Sequence, residues 1–376
     1  MSALVLCGAV LAACGSDGDS SSTTASATTA TTASTSAAST SATAASTATT
    51  AASTTTAASA ASTTVAASTP ADDRGPGPAP TKIPDGMGST AADGVFPRDV
   101  VHYKGTTTLP AEPKRIVVIG TGQLDGLLTL GIVPVGAVAR DGAETVQPYL
   151  VESFPEQATE LAAVESAGTN AAVNFEAIAA LQPDLIFDNG GAEAETYDTL
   201  AGIAPTVITA GTGVNWKQDF LLIASALGRS GEAEAFMKAY DAKAAALAAK
   251  VATDPPTVSL VRFNTGRVRM FGVPSFAGSI AWDAGLDRPE SQQFDKTSQD
   301  LSEEQIALID ADWLFYSVQG EAADTPAGTF MANPLWANLD AIKSDHVTVV
   351  DDDPWYLSAG PAAATIVLDG YVDTFG

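Results

Sequence analysis

From residue 110 onward, short β-branched runs alternate with segments of helical period. The run 116–119, Ile-Val-Val-Ile, is uniformly apolar and stops at Gly120, as a strand buried on both faces should. Helical spacing over 122–130 ends at Gly131, and a second strand is expected over 133–138. The unit then repeats as helix 175–181, strand 185–187, helix 197–202 and strand 206–209. Positions 216–251 read as helix, broken only at Gly228-Arg-Ser-Gly231. The second part, 232–251, is rich in strong helix formers and spans about 30 Å, the width of a small domain. Beyond Pro255-Pro256 come strands 258–263, 267–271, 313–317 and 347–350, with a turn at Asn264-Thr-Gly266. Helices are expected at 278–285, 303–309, around 335–342 and over 359–375. Two α/β halves joined by one rigid helix predict a cleft between them, where such sheets place ligands.

The N-terminal quarter is different. From Ser20 to Thr69 every residue except Val65 is Ser, Thr or Ala. Such a tract cannot bury enough apolar surface to offset the entropy of ordering it. Before it, residues 3–13 form an apolar run, too short for a membrane span of about 20 residues but suited to a signal peptide. The run ends Leu11-Ala12-Ala13-Cys14-Gly15-Ser16, which resembles a bacterial lipobox. That resemblance implies cleavage before Cys14 and lipidation of its thiol. The positive n-region is missing after Met1-Ser2, which points to a start codon upstream. With Cys7 lost in the signal, no thiol remains for a disulfide or for cysteine catalysis. The expected organisation is a signal peptide at 1–13 and a lipid-anchored, disordered spacer at 14–96, about 50 Å in r.m.s. span. An N-terminal lobe follows at 97–228, then a bridging helix at 229–254 and a C-terminal lobe at 255–376.

Charge narrows the partners. The chain carries 18 Lys plus Arg against 44 Asp plus Glu, a net −26. A polyanionic surface repels phosphate backbones, so nucleic acid is excluded. Two His and two Cys are too few for a zinc cage of the His/Cys type, and no cofactor is expected. His102 and His346 lie far apart and both read as surface residues, so any metal should arrive already chelated. An exported hydrolase and a structural wall lipoprotein are the rival classes. The first lacks a Gly-x-Ser-x-Gly elbow or a phosphate-binding loop; the second has no use for two lobes.

Several segments then add up. Pro113-Lys-Arg-Ile-Val-Val-Ile119, Leu130-Gly-Ile-Val-Pro-Val-Gly136, the stretch from Asn174-Phe-Glu176 to Ile186, and Ile203-Ala-Pro-Thr-Val207 form an ordered series. It continues through Val261-Arg-Phe263, Arg269-Met-Phe-Gly272, Asn333-Pro-Leu-Trp336 and the Asp353-Pro-Trp355 segment. The series resembles the iron-siderophore and cobalamin-type periplasmic binding proteins over about 98–376. The resemblance implies a bilobal fold of two α/β lobes joined by a single long helix. It also implies a monomer, not an enzyme, that captures a ferric siderophore and presents it to an ABC importer from the outer face of the membrane. Iron would enter only as part of that ligand. Cobalamin and haem binders share the fold and stay open as alternatives.

Candidate ligand residues follow. Arg262, Arg267 and Arg269 are three of nine arginines within eight residues. Arg262 sits on an apolar strand, where a charge needs a partner, and guanidinium forks suit chelate oxygens. Arg262 and Arg269 are the stronger pair. The family places the loop with Trp355 and Tyr356 at the cleft, where aromatic faces pack on a chelate's organic shell. Gln123, Arg140 and Tyr197 follow predicted strands of the first lobe. Trp216 and Trp336 read as core. In the family a glutamate on each lobe docks into the permease, and Glu176 and Glu304 match those positions. Each also sits in a first helical turn, where a carboxylate favours the helix dipole.

Overall fold

The computed structural model describes residues 77–190, 194–211, 213–320 and 324–376. The lipobox cysteine Cys14 and the Ser/Thr/Ala tract lie outside them. Among the described residues no helix is long and apolar enough to cross a membrane.

A hairpin of β1 (Arg98–His102) and β2 (Gly105–Leu109) leads into the first sheet. That sheet holds β3 (Ile116–Val118), β4 (Gly136–Ala139), β5 (Glu165–Thr169), β6 (Ala172–Val173), β7 (Leu185–Asn189) and β8 (Thr206–Thr209). Their order is β6-β5-β4-β3-β7-β8, parallel except for β6. The second sheet holds β9 (Val258–Asn264), β10 (Arg267–Phe271), β11 (Ser298–Leu301), β12 (Trp313–Val318) and β13 (Val347–Val349). Its order is β11-β10-β9-β12-β13, with β9, β12 and β13 parallel. The expected bilobal α/β architecture is therefore present.

Helix Trp216–Leu227 ends at Gly228, whose φ of 68° is the left-handed turn that glycine takes without strain. The chain restarts at once in helix Ser230–Val251. Ala233, Met237, Tyr240, Ala244 and Leu247 form its buried stripe, spaced three and four residues apart. This stripe belongs to one continuous core that takes in Ile116 and Leu185 of the first sheet and Leu260 and Phe315 of the second. A buried polar joint reinforces it. Lys217 Nζ lies 2.8 Å from Asp283 Oδ2, which also accepts from Tyr240 Oη at 2.8 Å. Three helices are pinned by those three side chains.

Two expectations change. Order begins earlier than residue 97, because 77–96 is bound to the lobe rather than free as spacer. Gly88 exchanges backbone hydrogen bonds with Val101 at 2.8 and 2.9 Å. The Asp93 carboxylate accepts from the N–H groups of Ser230 and Gly231 at 2.9 and 2.8 Å, satisfying the first turn of the long helix. Arg98, buried beneath, donates to the carbonyls of Ser225 and Ala92 at 2.7 and 2.6 Å. The helix expected around 335–342 is instead a 3-10 turn, Trp336–Asn338, and a helical turn, Asp340–Lys343. Leu339 between them is extended, with ψ 139°.

Asp93 is a cap supplied from outside the helix it serves. Asp93→Ala should lower the unfolding free energy by about 1–2 kcal/mol in urea titration; an unchanged midpoint would remove that role from the segment.

Candidate functional site

Both sheets reverse direction at a point facing the other lobe. In the first, the chain runs β3-β4-β5 to one side and returns to β7-β8 on the other, so the crevice opens beyond β3. Gly120 and Gln123 follow β3, Arg140 follows β4, and Asn189 and Thr209 end β7 and β8. In the second, the switch lies between β9 and β12, where Arg262 and Ser317 stand side by side. Asp352 and Asp353 follow β13.

Between these strand ends is a cavity of about 220 Å³, lined from both lobes. Gln123, Thr209, Trp216 and Asp219 come from the first; Phe271, Phe276, Trp355 and Tyr356 come from the second. Gln123 is held rigidly, its Oε1 accepting from Gly120 N–H at 2.9 Å and its Nε2 donating to Thr209 Oγ1 at 3.1 Å. Trp355 is 4% exposed and stacks on Phe315 at 5.3 Å, with Tyr371 edge-on. Tyr356 donates its hydroxyl to Phe315 O at 2.9 Å. Both aromatics thus anchor the loop in the core and turn only a remaining edge to the cavity. Trp216, expected as core, is 1% exposed and lines the cavity as well. Trp336 belongs to the core of the second lobe.

Arg140, Arg262 and Arg269 are not among the residues that line the cavity; each stands in an ion pair. Arg262 forks onto Asp352, with Nε 2.7 Å from Oδ1 and Nη2 2.9 Å from Oδ2, and its Nη2 also donates to Gln319 Oε1 at 2.5 Å. The partner that a charge on an apolar strand requires is therefore a residue of this chain. Arg140 of the first lobe pairs with Asp353 of the second. Arg269 lies directly opposite Arg262 in the β9-β10 ladder and 3.6 Å from Asp300. Arg267 pairs with Asp300 at 2.8 Å on the exposed side.

Tyr197 lies elsewhere: its ring packs at 6.0 Å from that of His102, and it is not among the cavity residues. His102 itself is buried, not on the surface, because its ring fills the gap beside Thr107, 2.9 Å away. Burial pushes its pKa down to about 4. Glu176 and Glu304 are both exposed, in the first turns of helix Phe175–Ala180 and of the 3-10 segment Glu303–Ile309. A hydrogen bond from Ser302 lowers the Glu304 carboxyl. Among the described residues no cluster of three His, Cys, Asp or Glu is placed to hold a metal ion.

Three carboxylates matter that composition hid among 44 acids. Asp352 and Asp353 neutralise Arg262 and Arg140. Asp125, fully buried, accepts from the N–H groups of Ala362 and Ala363 at 2.7 and 3.0 Å and from Tyr149 Oη at 3.1 Å. It thereby seats the start of helix Pro361–Phe375 on the first lobe. A Cβ on Gly360 would come within 2.3 Å of Asp125 Cγ, so this approach needs glycine. One signal was legible: an Asp inside the apolar run Leu124-Asp-Gly-Leu-Leu128.

Asp219 at the cavity accepts from Ala210 and Gly211 N–H, both at 2.8 Å, yet burial outweighs these bonds and raises its pKa to about 7. The folded protein then holds a proton that the unfolded chain has lost between the ordinary carboxylate value and about 7. Stability contributed at this site should fall as pH rises through that window, and Asp219→Asn should remove this component. Parallel pH–stability curves for the two proteins would contradict the assignment.

A family model described as periplasmic binding protein matches residues 116–354. A probable siderophore-binding lipoprotein of Bacillus subtilis is 35% identical over 285 residues, covering 72% of this chain and 86% of the relative. A ferric-citrate-binding protein of the same organism is 30% identical, covering 68% and 79%. The crystal structure of SirA from Staphylococcus aureus complexed with staphyloferrin B superposes with a TM-score of 0.64 at 30% identity, covering 73% of this chain and 97% of that one.

Proposed function

The chain belongs to the periplasmic binding protein family, and from that premise we propose that it captures a ferric siderophore between its lobes and delivers it to an ABC importer. The observation that supports this reading is a cavity lined from both lobes at the crevice beyond the strand ends, with Trp355 in its lining and the Arg140–Asp353 pair, two residues away, joining the lobes. The names of the relatives, which refer to siderophores and ferric citrate, support it. At about 220 Å³ the cavity is smaller than the 300–1,000 Å³ or so of a typical small-molecule site. In this reading it takes only part of a chelate, and the rest reaches toward the Arg140–Asp353 pair that joins the lobes. Fork geometry suits carboxylate and hydroxamate oxygens around iron. In this reading the protein is a binding component, not an enzyme.

The remaining parts fit the same role. Cys14 anchors the protein by lipid to the outer face of the membrane, and the tract before residue 77 gives it reach. A monomer suffices, because one chain supplies both sides of the cleft. Glu176 and Glu304 present one charge per lobe to the permease, and two linked sites give avidity beyond either contact alone.

Trp216 and Trp355 line the cavity, so their fluorescence reports its occupation. Titration with a ferric hydroxycarboxylate, a ferric hydroxamate, haem and cobalamin should show saturable, submicromolar quenching by a ferric chelate. Saturation by haem or cobalamin alone would overturn the siderophore reading. Reversing charge at both Glu176 and Glu304 should abolish iron uptake by cells while leaving ligand affinity within about twofold, as expected for exposed residues far from a bound ligand. Loss of affinity would instead move them into the binding site.

A further inference from the structure

The neighbouring aspartates Asp352 and Asp353 hold their arginines differently. Asp352 is framework: its side chain is 12% exposed, both oxygens are taken by Arg262, and Ser317 Oγ donates to Oδ1 at 2.5 Å. Asp353 is 27% exposed, and among the described residues Arg140 is the only side chain bonded to its carboxylate. Of the two pairs it is also the one that crosses from the second lobe to the first. Two residues further on, Trp355 lines the cavity itself. Nearby, Arg269 faces Arg262 across the ladder, an arrangement of like charges that repels unless an anion lies between or beside them. Among the described residues its one ion-pair partner is Asp300, 3.6 Å away and shared with Arg267 at 2.8 Å.

Resting on the siderophore reading, we propose that Asp353 is a specificity-determining counter-anion that a ligand must replace on Arg140. An anionic chelate brings an oxygen of the same kind, so one charge-assisted pair is exchanged for another. It gains a second contact at Arg269. A neutral chelate that parts Arg140 from Asp353 offers nothing in return, and it leaves two half-buried charges without partners. The cleft therefore selects ferric complexes carrying free carboxylate oxygens over neutral ones, although the chain as a whole is strongly acidic. Positive charge at Arg140 and Arg269, against negative charge over the surface, separates attraction at the site from repulsion over the body.

The test uses the full chain, ferric dicitrate as the polyanion and a neutral ferric trihydroxamate as control. Asp353→Asn should bind ferric dicitrate about tenfold tighter than the parent, and Arg140→Gln about tenfold weaker, with the trihydroxamate moving less than about threefold in either. In the double variant, which leaves no unpaired charge, Asp353→Asn should change dicitrate binding less than about threefold relative to Arg140→Gln alone. Thermal unfolding of each variant checks that the fold is kept. Dicitrate binding by the parent with no gain in Asp353→Asn, or the same gain without Arg140, would overturn this inference alone. Failure of the parent to bind any ferric chelate would overturn the siderophore reading and this inference with it.

Discussion

One apolar core runs unbroken from the first sheet through helix Ser230–Val251 to the second. Everything else about the cleft depends on it. Because the buried stripe of that helix belongs to a core shared by both lobes, the lobes are packed together rather than joined by a tether, although each also keeps a smaller core of its own. Parting them would expose close-packed surface at about 25 cal/mol per Å². The polar joint of Lys217, Asp283 and Tyr240, and the seating of helix Pro361–Phe375 on Asp125, add directional bonds that tolerate little sliding. A cleft built this way is preorganised, and in the proposed reading it binds by exchanging the side-chain partner of Arg140 more than by swinging shut.

That rigidity explains why the active chemistry gathers at strand ends. Parallel strands deliver their last residues to one edge, and the switch points leave room there on both sheets. Arg140, Arg262, Ser317 and Gln123 are all placed by that rule. The loop after β13 then supplies anions and aromatics together: Asp352 and Asp353 meet the arginines, while Trp355 and Tyr356 fix the loop to Phe315. Burying the rings holds the aspartates in place.

Much of this was legible in the sequence because it is periodic. Strand Thr206–Thr209, the break at Gly228 and the long helix after it follow from apolar runs and helix formers that any packing must respect. What escaped was polar or non-local. The β1-β2 hairpin carries Gly105-Thr-Thr-Thr and β11 carries Ser-Gln-Asp, so neither has a hydrophobic signature. Residues 77–96 are ordered by capping a helix some 140 positions away, which no local pattern announces. Likewise Arg262 advertised its need for a partner, but nothing local showed that Asp352 would meet it. Tyr197 follows a strand as Arg140 does, yet its helix turns it toward His102.

In the proposed function a ferric chelate sits between the lobes, in contact with Arg140 and Arg269. Crystals grown with ferric dicitrate and measured at the iron absorption edge test it most directly. One anomalous peak is expected between the lobes, with citrate carboxylates on Arg140 and Arg269. Iron found only on the acidic exterior, with the ion pairs of Arg140 and Arg269 unchanged, would contradict it.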